Sequence, residues 1–194
     1  HVASPGQPQP LCPNPPTGSS LEWTSSDPSI SDDGSKVAFT TGCYPLSDSY
    51  VVVADLATGA LVDVASARQQ AEPSLSGDGT KVAVVDYDGT LGSTIRVYTP
   101  GSAAAPVVVG AAWAAPSLDD HGTHVAYLAT SDTVFGTGTT PVVVRSSVPT
   151  QAGEPTKVSF SGAGVPNAAS DPPAISGDGS VIVYGSCASD IVPG

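Results

Sequence analysis

Apolar positions along the chain fall in short β-branched bursts separated by clusters of Gly, Pro, Ser and Asp, a pattern that predicts strands rather than helices. Val51-Val52-Val53, Val107-Val108-Val109 and Val142-Val143-Val144 are apolar on successive residues, so a strand there is covered on both faces. One twelve-residue pattern occurs four times. P-S-I-S-D-D-G-S-K-V-A-F begins at Pro28, P-S-L-S-G-D-G-T-K-V-A-V at Pro73, P-S-L-D-D-H-G-T-H-V-A-Y at Pro116 and P-A-I-S-G-D-G-S-V-I-V-Y at Pro173. The repeat-turn residues are Asp33-Gly34, Asp78-Gly79, His121-Gly122 and Asp178-Gly179.

Each copy predicts a β-hairpin. A short strand, Ser29–Ser31 in the first copy, enters a turn where glycine takes φ > 0 and the aspartate side chain bonds the turn backbone. A β-branched return strand follows, 36–40 in that copy, and proline opens the first strand, where a missing N–H costs least. A second hairpin completes each of the first three copies: 50–56 with 60–66, 94–98 with 106–110, and 141–146 with 156–161. The stretch 65–72 is read as a strand end plus an inter-blade loop, and 162–171 as an insertion before the fourth copy.

Four-stranded units repeating at ~40–50 residues and apolar on both faces are what stacked propeller blades require. A two-sheet sandwich would show cleaner polar alternation. The expected fold is therefore all-β: a β-propeller of three four-stranded blades, about 28–66, 73–110 and 116–161, plus the first hairpin of a fourth at 173–194, behind a Pro-rich strap at 1–21. It is an incomplete propeller or part of a larger one. Residues 19–24 are a candidate strand for closing the ring from the opposite end. The fourth blade is expected to leave an open edge for a second protein chain or an identical subunit.

Val far outnumbers Leu, Met is absent and 40% of the residues are apolar, which suits a sheet protein with a core. A net charge of −12 disfavours nucleic acid and anionic lipid as partners, and no apolar run is long enough for membrane insertion. Acidity, scarce Lys and Ser/Thr/Pro-rich loops suit an extracellular or cell-surface protein. A Cys12–Cys43 disulfide is then expected, tying the strap to the first blade and leaving Cys187 free or paired with a thiol outside residues 1–194; three reduced thiols are the alternative.

Candidate chemistry is sparse. The string His121-Gly122-Thr123-His124-Val125-Ala126 is similar to the histidine motif of subtilisin-like peptidases, but the aspartate and serine motifs of that family are missing. The same residues fall in register with the hairpin repeat. There is no G-x-S-x-G elbow, no H-E-x-x-H spacing and no phosphate loop. Carboxylates recur at the turns, and calcium is the one cofactor they would admit; a calcium loop needs more ligands, so they are read as turn formers. Trp23 and Trp113, which precede two of the repeat prolines, are expected to wedge between blades.

The four copies, with their apolar-Ser-x-Asp-Gly-x-x-apolar-Ala-aromatic pattern, resemble the TolB-like, WD-related propeller repeat of bacterial secreted proteins. The third copy departs from it, with His121 in place of the turn aspartate. The resemblance implies a non-catalytic module that binds proteins or ligands through loops such as 131–140 and 148–155. It equally admits a substrate-gating portion of a larger secreted hydrolase, or a subunit that self-assembles by strand addition.

Overall fold

The computed structural model describes residues 22–44, 49–67, 72–87, 93–130, 136, 138, 140–152, 154–159 and 164–191. Its regular elements are all strands, each placed where a β-branched burst lies between turn residues. Blade 1 is β1 (Glu22–Ile30), β2 (Lys36–Tyr44), β3 (Ser49–Asp55) and β4 (Leu61–Ala67). Blade 2 is β5 (Ser74–Leu75), β6 (Val82–Tyr87), β7 (Ser93–Tyr98) and β8 (Val107–Ala112). Blade 3 is β9 (Ala114–Leu118), β10 (His124–Thr130), β11 (Pro141–Ser147) and β12 (Thr156–Lys157). Each is an antiparallel meander in which neighbours in sequence are neighbours in the sheet. Blade 4 is a hairpin of β13 (Ala174–Ile175) and β14 (Ile182–Val183).

The first strands lie side by side, β1 beside β5, β5 beside β9 and β9 beside β13, and so form the inner edge of an arc of sheets. Successive residues of the second strands serve opposite neighbours. Val82 and Val84 pack with Ala38, Val51 and Val53 of blade 1, whereas Ala83 and Val85 pack with Val125, Tyr127 and Val144 of blade 3. Val51–Val53 and Val142–Val144 are accordingly buried on successive residues, whereas Val108 is 55% exposed, so the expected cover of both faces fails in β8, the last strand of its blade.

Several boundaries differ from the sequence reading. Glu22–Thr24 do not close a ring from the far end; they prolong β1, with Glu22 opposite Tyr44 and Thr24 opposite Gly42. Part of the expected insertion belongs to the fourth hairpin, because Ser170 bridges to Ser186 and the Asp171 N–H donates to the Gly185 carbonyl. In the first three copies the backbone kinks just before the repeat proline. Asp27, Glu72 and Ala115 hold φ of +53°, +39° and +55°, a left-handed backbone unfavourable for residues with a Cβ. In β1 the register shifts at this point, between Ser26 and Ser29, and pairing resumes on the far side.

Candidate interaction site

The repeat turn explains its own composition. In the first copy the Ser31 hydroxyl donates to Asp33 Oδ1 at 2.8 Å and accepts the Lys36 N–H at 3.0 Å, while Asp33 Oδ1 accepts the Ser35 N–H at 2.8 Å. Ser76 with Asp78 and Ser176 with Asp178 repeat the arrangement. These bonds favour ionised carboxylates. At Asp78 burial opposes the effect, but donors from Thr80, Ser76 and His121 bring the pKa down to about 2; at Asp178 donors from Ser176 and Ser180 also bring it to about 2.

The third copy reaches the same turn by exchanging roles. Asp119 stands where the others have serine, and His121 where they have aspartate. Asp119 Oδ1 accepts the Thr123 N–H at 2.7 Å, and its Oδ2 accepts the Thr123 hydroxyl at 2.6 Å and lies 2.9 Å from His124 Nδ1. Burial acts to raise the Asp119 pKa, yet the donors from Thr123 and His124 outweigh it and hold the carboxyl below its ordinary value. Gly122 keeps φ of +60°, so the hairpin is unchanged. His124 of the subtilisin-like string is therefore engaged, with Asp119 two residues before the string, in the turn itself.

Three further contacts join each blade to the next, and all three recur. First, the serine after the repeat proline accepts a backbone N–H from the following blade: Ser29 from Leu75 at 2.9 Å, Ser74 from Leu118 at 3.0 Å and Ser117 from Ile175 at 3.2 Å. Second, the turns bond to one another, with the Asp32 N–H donating to Gly77, Asp78 to Asp120 and Asp120 to Gly177, each to the carbonyl. Third, the side chain after the turn lies across the next turn's glycine. Lys36 Nζ donates to the Gly79 carbonyl at 3.1 Å, a Cβ at Gly122 would stand 2.6 Å from Lys81 Cγ, and one at Gly179 would stand 2.8 Å from His124 Nδ1.

This staple is left unused at both ends of the arc. On the leading side of blade 1 nothing lies within 4 Å of a Cβ placed on Gly34, Ile30 is 59% exposed, and no acceptor meets the Ile30 N–H among the described residues. On the trailing side of blade 4, Val181 occupies the position of Lys36, Lys81 and His124 and is 57% exposed. Val183, equivalent to Ala38, Ala83 and Ala126 at 0% exposure, is 66% exposed. The β14 edge that would pair with a third strand has no partner strand among the described residues.

Other expected features have different fates. Trp113 does not wedge between blades; it is the single residue between β8 and β9 and is 54% exposed, so its side chain meets solvent rather than a neighbouring sheet. The Trp23 side chain, the Cys12–Cys43 pairing and most of 131–140 lie outside the described residues. Cys187 is free and exposed. The 148–155 loop is organised by Glu154, whose carboxylate accepts N–H groups of Ser147 and Gln151, and it reaches blade 2 through a Thr150 hydroxyl donated to the Val109 carbonyl at 2.9 Å. Among the described residues no cluster of three or more His, Cys, Asp or Glu stands ready to hold a metal.

The arc superposes on TolB from Acinetobacter baumannii with a TM-score of 0.60 at 16% identity, covering 83% of this chain and 37% of that one. It superposes on a putative TolB from Agrobacterium tumefaciens with a TM-score of 0.57 at 18% identity, covering 83% of this chain and 53% of that one. The fold is a TolB-like β-propeller. The described part of this propeller is open, with sheets of four, four, four and two strands. The β-propeller domain of the trilobed protease from Pyrococcus furiosus is similar at a TM-score of 0.49 and 20% identity, over 70% of this chain and 45% of that one. The chain thus spans about a third to a half of the TolB structures it matches. No family model matches the sequence, and no curated protein matches it.

The serine staple was legible in principle, since the second residue of the repeat reads Ser, Ser, Ser, Ala. The kinks at Asp27, Glu72 and Ala115 carry no such signal, because three unrelated side chains occupy one strained backbone position.

Proposed function

We propose that this chain is a non-catalytic, extracytoplasmic scaffold that binds protein through the uncovered ends of its blade arc, where further chain or a partner completes the sheets. The observation that carries this reading is Val183, 66% exposed at a position fully buried in every preceding blade. An apolar side chain on a blade face is stabilising only when another sheet covers it. Beside it, the unpaired edge of β14 supplies backbone donors and acceptors for an added strand. Net acidity and scarce lysine support a location outside the cytoplasm, and loop 148–155, fastened to two blades, supplies a rigid recognition surface.

Native mass spectrometry of the protein taken from its source under non-denaturing conditions tests this. The expected species is heavier than 19.2 kDa, through added covalent chain or a second polypeptide. A lone species of that mass whose 182–186 amides exchange slowly would overturn the reading, because the edge would then be covered from within.

A further inference from the structure

The two ends of the arc are not complementary to each other. The three recurring inter-blade contacts are made by first-hairpin residues: the serine after the repeat proline, the turn backbone and the residue that follows the turn. Blade 4 possesses that hairpin, yet Ala174 stands in place of the serine and Val181 in place of Lys36, Lys81 and His124. Blade 4 therefore has no hydroxyl to accept a following blade's N–H and no long polar side chain to lay across a following turn. Blade 1 retains the receiving half in full. Ile30 presents its N–H as Leu75, Leu118 and Ile175 do, and Gly34 is open where Gly79, Gly122 and Gly179 are covered.

We propose that the first-hairpin part of the leading face of blade 1, around Ile30 and Gly34, is a docking site for a propeller hairpin of this same repeat that carries serine where blade 4 has Ala174 and lysine where it has Val181, supplied by a polypeptide other than a second copy of residues 1–194. The inference deepens the scaffold reading and rests on it. Two arguments select this occupant. The contact continues an interface that the molecule already makes three times. The incoming ammonium would arrive at the Gly34 carbonyl beside the Asp33 carboxylate, which its turn donors hold ionised, in a chain of net charge −12. A second copy offers an alanine, which leaves the Ile30 N–H without an acceptor under the covering sheet, and a valine, which brings no charge.

The test converts blade 4 into the missing donor. The Ala174→Ser/Val181→Lys double variant of residues 1–194 is compared with the parent chain by sedimentation velocity over a wide concentration range. Expected is head-to-tail association of the double variant at least about tenfold tighter than that of the parent chain, abolished when Ile30→Glu is added to the same variant. Both altered positions hold Ser or Lys in other blades, and thermal melting checks that the fold persists. Should the double variant melt early, Ala174→Ser alone carries the comparison. A folded variant as monomeric as the parent chain would overturn the proposal. So would association that survives Ile30→Glu, or a parent chain that already assembles through Ile30. None of these outcomes depends on the native mass, so the proposal and the scaffold reading can fail separately.

Discussion

The hydroxyl of Ser74 in blade 2 accepts the backbone N–H of Leu118 in blade 3 at 3.0 Å. Leu118 is buried, and its N–H faces away from the partner strand of its own blade. Without the hydroxyl that donor is left under the neighbouring sheet with no acceptor. Ser74→Ala is expected to cost about 1–2 kcal/mol, read as a lower urea midpoint with unchanged slope. Ala174→Ser, measured at a protein concentration where the chain is monomeric and no following blade is present to bond, should leave the midpoint where it is. Equal effects at the two positions would remove the inter-blade role of the serine.

Glycine at the repeat turn answers two demands, which substitution can separate. Gly34 and Gly122 share a left-handed backbone, φ +69° and +60°, so alanine at either carries the same local strain of about 1 kcal/mol. Only Gly122 also faces Lys81, whose Cβ and Cγ would stand 2.7 and 2.6 Å from the new methyl. Gly122→Ala is expected to cost a further 1–3 kcal/mol, roughly the penalty of overpacking. Matching losses in calorimetry at the two sites would mean that blades 2 and 3 do not meet there.

The exchanged residues of the third turn should be energetically coupled. Asp119→Ser leaves no carboxylate for the Thr123 N–H and is expected to cost about 2 kcal/mol. Adding His121→Asp rebuilds the Ser-x-Asp arrangement of the other copies and should recover most of the loss. A double-mutant cycle with no coupling energy would refute the exchange.

Acid should unfold the protein through its turns. Asp33, Asp78, Asp119 and Asp178 all titrate below their ordinary value of 3.8, the second and fourth at about 2. A carboxyl depressed in the folded state contributes stability that is complete above its unfolded pKa and is lost as pH falls through the folded one. Melting temperature should therefore decline between about pH 4 and pH 2, and a flat acid limb would contradict the turn geometry.

Asp120 behaves in the opposite sense. Desolvation, then the charge and hydrogen bonding of Asp32, raise its pKa, and the two carboxylates converge over Gly77, where a Cβ would overlap the Asp32 carboxylate and stand 2.8 Å from Asp120 Oδ1. Its ionised form works against folding, a cost absent at low pH and felt as pH rises through the raised value. Asp32→Asn should raise the melting temperature at neutral pH and bring the Asp120 titration, followed by carbon-detected NMR, back toward the ordinary value. An unchanged titration would dismiss the pairing.

What the sequence determined by itself is short-ranged. A Ser-x-Asp-Gly turn closes on its own donors and acceptors, a glycine there takes φ > 0 without penalty, and valine on successive residues of a strand demands cover on both faces, so hairpins, blades and their order followed from the repeat. Tertiary structure alone decided the rest. The kinks at Asp27, Glu72 and Ala115 place three different residues in one backbone conformation, which only the packing of each inner strand against the next blade can impose. The same packing covers Val82 and Val125 while leaving Val183 and Ile30 bare, and it turns Trp113 outward. Strand and turn preferences act within a few residues, whereas cover is a property of whichever sheet stands alongside, and for the two end blades that neighbour is not among the described sheets.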